Sequence, residues 1–416
     1  MSLAAQPAPG RLPRWCGWVM VFAAVMTPLL AWLGPLGFAP LLALLGLLCL
    51  PAIRLDDADR PALVALAAAL VWAAISTLWS PHAPRDPGSS TALKLALELP
   101  LYWAAVCGAR RADPALQRLA LRVLAWGLAA LGALLIVEAF TGGQIYRALH
   151  IAFYEPIRPD LAGKNLGQAA FVLALLWPLA AAGGVRAGAI PGLALPMAAG
   201  VAVAGVAFRA DAPLLALALG GLAGFAVWRA PREAPKAIAG VAALFFVAMP
   251  VAVWAIRDIA AATSLDLGLP LSWAQRLSYW SHAVDWIAEH PLRGWGLDAS
   301  RMFGPGIQLH PHNSALQLWL ELGVAGAAAA AVFWGATLLR LKRTEPSLAM
   351  AATAASVAAY LLFGAANFGV WQEWWLALGA LVAVLVAMLT GDAAPQPAAK
   401  LRRSAAQAST FAPISE

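Results

Sequence analysis

Between Trp18 and Met388 the chain returns repeatedly to apolar runs long enough to cross a bilayer, separated by short polar connections. A hydrocarbon core takes roughly 20 consecutive apolar residues in helical form. Inside it, every backbone N–H and C=O must find a partner within the protein, which leaves helices and closed barrels as the spanning structures. These runs have the length and hydropathy of helical spans, so the reading is helical. Spans are read at 17–33, 36–53, 62–80, 93–109, 119–140, 166–184, 188–208, 212–229, 237–256, 314–339, 347–366 and 373–390. Only 12% of residues are charged, about half the share of a soluble domain. The expected fold is therefore all-α and polytopic, with about twelve transmembrane helices. A single membrane-embedded domain is expected over 1–390, followed by a disordered tail over 391–416 that is rich in Ala, Pro, Gln and Ser.

Composition excludes several functions. The formal charge of +7 comes from basic residues scattered among loops, with no basic stripe interleaved with aromatics, so no nucleic-acid partner is expected. Cys16, Cys49 and Cys107 lie in or beside apolar runs without metal or redox spacing and read as small buried hydrophobes. No Walker motif, HExxH or Cys/His cluster is present, and Asp56, Asp57 and Asp59 read as a solvated turn. Neither a metal nor a cofactor is expected. Arg11 and Arg14 precede an apolar run with no small-residue cleavage site, which reads as a retained first span.

Lys and Arg in short loops set orientation. Arg54, Arg60, Arg110, Arg111, Arg118, Arg186, Arg229, Arg232, Lys236, Arg340, Lys342 and Arg343 fall on one side of an even span count, and both termini join them. That side is expected to be cytoplasmic. The opposite side holds the longer connections, 81–92, 141–165 and 257–312. A structureless connection as long as the last would be uncommon. Within it, Leu277, Trp280, Val284 and Ile287 recur at helical spacing over Trp273–Glu289, which predicts an amphipathic helix at the membrane surface.

Four groups of residues on this side could carry chemistry. His310-Pro311-His312-Asn313 runs directly into a span, with Asn313 as its expected N-cap. Asn313, Gln317 and Glu321, at i, i+4 and i+8, form a polar stripe entering the membrane, where polar groups are costly. A histidine at its head can exchange a proton near neutral pH; the alternative is an interfacial histidine satisfied by water. Arg209, at a tight hairpin between two apolar runs, is either a snorkelling anchor or an anion clamp, with Asp211 close by as a partner. Arg276 on the surface helix contacts either a lipid headgroup or a substrate phosphate. Lys164 and Asn165 stand at the mouth of another span, where the alternative is interfacial snorkelling, and Arg158 upstream is more ambiguous.

His290-Pro291-Leu292-Arg293-Gly294-Trp295-Gly296-Leu297, followed by His310-Pro311-His312-Asn313 with Leu316, Gln317, Glu321 and Gly323, resembles the O-antigen ligase and polymerase superfamily of bacterial envelopes. The number of spans, the large late loop and the mid-chain hairpin arginine fit the same layout. The resemblance implies a glycosyltransferase of GT-C-type architecture in the bacterial inner membrane, its active site on the periplasmic face. Its donor would be a glycan on undecaprenyl pyrophosphate, and a ligase would pass that glycan to the lipid A–core oligosaccharide. Carried onto this chain, the motif histidine is His312, the loop arginine Arg276 and the hairpin arginine Arg209. The chain departs from the pattern at Asp211, where small residues usually follow the arginine. His312 would act as general base and the two arginines as pyrophosphate clamps, with Lys164, Arg158, His310 and Asn313 as further substrate contacts.

The surface helix before the histidines and the single hairpin arginine favour a ligase. The close alternatives are an O-antigen polymerase and a protein O-oligosaccharyltransferase. A lipid-linked glycan flippase or transporter is the alternative of a different class. It would distribute ionisable groups through mid-membrane positions of several spans, whereas Glu98, Glu138, Glu321 and Glu373 are the only acids within the runs above.

Overall fold

The computed structural model describes residues 10–263 and 271–391; the tail expected to be disordered lies outside the described residues except for Gly391. Fourteen α-helices and no strand occur among the described residues. They are α1 (Arg11–Leu33), α2 (Phe38–Leu48), α3 (Arg60–Ser76), α4 (Thr91–Arg111), α5 (Pro114–Thr141), α6 (Gln144–Phe153), α7 (Pro159–Arg186), α8 (Ala194–Ala207), α9 (Asp211–Arg229), α10 (Ala234–Thr263), α11 (Leu271–Glu289), α12 (Ser314–Leu339), α13 (Leu348–Ala366) and α14 (Glu373–Thr390). The protein is an all-α polytopic membrane protein. Ten helices are long and apolar enough to cross a bilayer; the apolar segments Pro35–Leu48 and Pro191–Ala207, both read as full spans from sequence, are shorter.

The helices pack around α7, the most enclosed of the ten, which touches α5, α8, α13 and α14. Lipid supplies no hydrophobic drive for helix association, so close contact has to come from shape, and small residues let backbones approach. At the α5–α8 crossing, a methyl group on Gly132 would strike the Pro196 carbonyl, and one on Gly200 would strike the Gly132 backbone. Helices α3 and α10 are the least enclosed and lie at the periphery.

At one end of the bundle the basic connections gather. Asp59, expected in a solvated turn, is instead buried. Arg110 grips its carboxylate with two bonds, of 2.5 and 2.9 Å, and Arg340 donates to it as well. This ties the start of α3 to the ends of α4 and α12. The sequence reading failed here because the two arginines that desolvate Asp59 come from 51 and 281 positions away.

The opposite end carries more structure than the sequence suggests. Helix α6 lies within the connection 141–165, its Ile145 and Tyr146 N–H groups capped by the Glu138 carboxylate. Helix α7 starts at Pro159 rather than near 166, so Lys164 and Asn165 sit inside its first turns. The amphipathic helix forms as α11, but its apolar face is turned onto protein rather than lipid. Tyr279, Ala283, Val284 and Ile287 are buried, the last three in a cluster that includes Phe303, Ile307, Leu316 and Leu320. Arg257 of α10 holds Asp285 of α11 at 2.6 Å.

Candidate active site

The site is built on a break in α12. Gly323 has φ 65° and ψ −159°, outside helical geometry, so what reads in sequence as one continuous helix is two pieces. A broken helix within a membrane leaves backbone groups that water cannot satisfy. Here the segment Pro291–Gly296 fills the break. Trp295 and Gly296 donate their N–H groups to the carbonyls of Leu320 and Glu321, both at 2.8 Å, and Val324 N–H donates to Pro291 O at 2.9 Å. Trp72 of α3 donates its indole N–H to the remaining carbonyl, Leu322 O, at 2.9 Å. The approach is too close for side chains: a Cβ on Gly294 would overlap the Glu321 carbonyl, and one on Gly323 the Leu292 carbonyl. Both also have positive φ. This accounts for Gly294 of the His290–Leu297 motif and for Gly323; a Cβ on Gly296 would instead meet Ser76 O and Ser80.

Glu321 locks the inserted segment. Its fully buried carboxylate accepts from Asp298 N–H (2.9 Å), Ser300 Oγ (2.6 Å), Gln317 Nε2 (3.1 Å) and Trp371 Nε1 (2.6 Å). Gln317 Oε1 accepts from Val370 N–H at 2.9 Å. Asn313 is the N-cap of α12, its Oδ1 accepting from Leu316 N–H at 3.1 Å. The polar stripe is therefore a brace: it holds segments 297–300 and 370–371 against α12, and so fixes the loop that carries the histidines.

His312 sits at the head of this brace with φ 53°. Its Nδ1 lies 2.8 Å from the Asn367 carbonyl, which can only accept, so Nδ1 carries the proton and Nε2 keeps its lone pair. Its backbone N–H donates to His310 Nδ1 at 3.1 Å, and the two imidazole centroids are 4.2 Å apart. Tyr279 of α11 stacks on His312, with centroids 6.1 Å apart and planes 17° apart, and Trp280 donates to Pro311 O at 2.9 Å. Burial, then the charge of Arg276, pulls the His312 imidazole below its ordinary value, with the Asn367 carbonyl opposing. His312 is therefore neutral at pH 7. Burial, then His312 and Arg301, pulls the buried His310 down to about 3.

Arg276 lies within electrostatic range of both His312 and Asp211, so α11 brings the loop arginine to the histidines and to the α8–α9 hairpin together. Its guanidinium is over Trp273 at 5.1 Å and donates to Ser272 O at 3.3 Å. Burial pulls it below its usual value, with Asp211 opposing: a partly desolvated cation facing no carboxylate at contact distance among the described residues. Arg209 is exposed at the hairpin tip with φ 53° and forms no ion pair with Asp211. Its neighbours Phe208 and Ala210 pack on Gly163 and Gly167 of α7, the stretch that carries the exposed Lys164. Arg158 is engaged by Asp160 through two bonds, of 3.0 and 2.8 Å, and Asn165 donates to Tyr146 Oη at 3.1 Å. Arg209, Asp298, Leu309 and His312, the non-glycine residues with positive φ among the described residues, all belong to loops at this end. Strained backbone of this kind concentrates at functional sites. No three His, Cys, Asp or Glu side chains gather among the described residues.

Residues 196–331 match the family model described as O-Antigen ligase. This stretch contains Arg209, Arg276, both histidines, the inserted glycine motif and Glu321. The match supports the O-antigen ligase superfamily for this stretch, about a third of the chain. The chain is also similar to proteins named "Putative polysaccharide ligase" from Rickettsia conorii (30% identical over 130 residues) and Rickettsia prowazekii (29% over 130). Each alignment covers 28% of this chain and 32% of the relative, so the match spans about a third of the relatives' own length. No solved structure matches the chain. Sequence reasoning missed Asn367, which orients His312, and the indole of Trp371, both outside the matched stretch. A backbone carbonyl leaves no mark in sequence; the indole could have been sought as a donor for the carboxylate buried in α12.

Proposed function

We propose that the protein is an O-antigen ligase, a lipid-linked oligosaccharide transferase of GT-C type that moves a glycan from undecaprenyl pyrophosphate to the lipid A–core oligosaccharide. The observation that carries this reading is the pairing of a neutral His312, its Nε2 lone pair free, with the charge of Arg276 nearby. In the proposed reaction His312 Nε2 takes the proton of an acceptor hydroxyl, whose oxygen attacks the anomeric carbon. The bond from that carbon to the pyrophosphate oxygen breaks on the opposite face, so the configuration inverts and undecaprenyl pyrophosphate leaves. Arg276 and Arg209 neutralise the charge that grows on the leaving group. Lys164 lies on the same side and is the further phosphate contact; Arg158 would first have to release Asp160.

The basic connections at the Asp59 end support an inner-membrane orientation with both termini cytoplasmic and the histidine end periplasmic. On the transport alternative, the four acids in the spans should serve an ion path. Each has a local partner instead: Tyr102 on Glu98, backbone N–H groups on Glu138, four donors on Glu321 and Lys94 on Glu373.

The test is reconstitution with undecaprenyl-pyrophosphate glycan and rough lipopolysaccharide, with EDTA and without nucleotide. Glycan-bearing lipopolysaccharide should form, and a folded His312→Ala protein should form none. Longer lipid-linked chains instead would indicate a polymerase. Full transfer by His312→Ala would remove the proposed base.

A further inference from the structure

A half-open cavity of about 470 Å³ is lined by His310 but not by Arg276, and lies within the roughly 300–1,000 Å³ of small-molecule sites. Its wall includes Asp298, Arg301, His310, Trp371, Gln372 and Glu373. Two features of this wall point to one kind of ligand. First, its charges are compensated. Arg301 Nε holds Asp298 Oδ1 at 2.9 Å and Lys94 holds Glu373 Oε1 at 2.5 Å. A pyrophosphate would meet two carboxylates here, whereas Arg276 and Arg209 have no carboxylate in contact among the described residues.

Second, each carboxylate keeps an oxygen, Asp298 Oδ2 and Glu373 Oε2, without a partner among the described residues. Carboxylates only accept, so they call for a ligand rich in O–H donors. The Trp371 ring, anchored through its N–H to Glu321, adds an apolar face beside them. Hydroxyls around the edge of a flat ring with C–H faces describe a pyranose. The cavity is also one residue away from the proposed base: His310 lines it, and the His310 ring lies 4.2 Å from that of His312.

We infer that this cavity is the acceptor subsite, binding the sugar whose hydroxyl His312 deprotonates, while the donor pyrophosphate lies on the Arg276 side. The inference rests on the proposed transfer reaction. It divides the site in two about the histidine pair: cations for the leaving group on one side, free carboxylate oxygens for the nucleophile's sugar on the other.

Arg301→Ala and Glu373→Gln test it. The first removes the guanidinium that holds Asp298 Oδ1 and so orients Oδ2; the second replaces the carboxylate that carries the free Glu373 oxygen. Both side chains are partly exposed and lie outside the Glu321 brace. Loss of a hydrogen bond to a charged group should raise the acceptor KM about tenfold, with donor KM and kcat within about twofold of wild type and the melting temperature unchanged. Saturation-transfer NMR with delipidated core oligosaccharide should show binding by the wild type and weaker binding by both variants. A rise in donor KM instead, or unchanged kinetics in both variants, overturns the assignment. If the wild type transfers nothing to lipopolysaccharide, the proposed function fails, and the NMR titration then decides the cavity alone: oligosaccharide binding that weakens in the variants supports a sugar subsite, and no binding by the wild type overturns it.

Discussion

Glu321→Ala should unfold the site. In the native protein one buried carboxylate satisfies four donors from three separate segments. Truncation leaves Ser300 Oγ its bond to Leu309 O at 3.0 Å. It leaves Asp298 N–H, Gln317 Nε2–H and Trp371 Nε1–H without their acceptor. Each stranded donor costs roughly 1–3 kcal/mol, so three cost roughly 3–9 kcal/mol, a large part of the roughly 5–15 kcal/mol that holds a typical domain folded. Glu321→Gln should fall between. Its one oxygen can replace Oε2 and keep Asp298 and Trp371, but its amide group then faces Gln317 Nε2, donor against donor. Thermal unfolding in detergent should rank wild type above Glu321→Gln above Glu321→Ala, with transfer activity lost in the same order. An alanine variant that melts within about 2 °C of wild type, a change below roughly 1 kcal/mol, would show that the carboxylate does not hold the inserted segment.

Other outcomes follow from the same geometry. Because burial and Arg276 both lower the His312 imidazole, the active neutral form persists at pH 7, and transfer should decline only below the ordinary histidine value of about 6.5. Arg276→Gln removes the lowering charge, so the acid limb of its pH–rate profile should move up; a downward shift would refute the coupling. Gly323→Ala puts a methyl group on the Leu292 carbonyl at a backbone angle closed to alanine, and should abolish stable expression, as measured by folded yield in detergent. Arg209→Ala should raise donor KM about tenfold or more through loss of a charge-assisted phosphate contact, with acceptor KM unchanged in steady-state transfer assays.

The membrane helices could be read from sequence because a bilayer imposes length and polarity on every span independently of its neighbours. The histidines, Arg276, Arg209 and the Asn313 cap could be read because polar groups stand out against apolar runs. Three things could not. The break in α12 depends on a segment about thirty positions upstream entering it, and Gly323 alone looks like a packing glycine. The burial of Asp59 depends on arginines from two other helices. Arg158 reads more ambiguously than Lys164 in sequence, and what separates them is that Asp160 engages only Arg158, a distinction made by side-chain geometry at the start of α7.

The two histidines show how far residue type falls short of role. They are two positions apart and both neutral at pH 7, so neither spacing nor charge says which one moves a proton. Hydrogen bonding does. His310 Nδ1 accepts from the His312 N–H, which leaves Nε2 as the protonated nitrogen of a neutral ring. That Nε2 lies 3.4 Å from Gln372 Nε2, while Gln372 Oε1 is buried without a partner. Turning the amide over gives the Nε2–H an oxygen to donate to, and both nitrogens of His310 are then engaged. His312 uses only Nδ1, on a carbonyl that cannot give a proton back. The free lone pair lies on His312, which suits it to the proposed role of base, and His310 holds the His312 backbone N–H where φ is 53°.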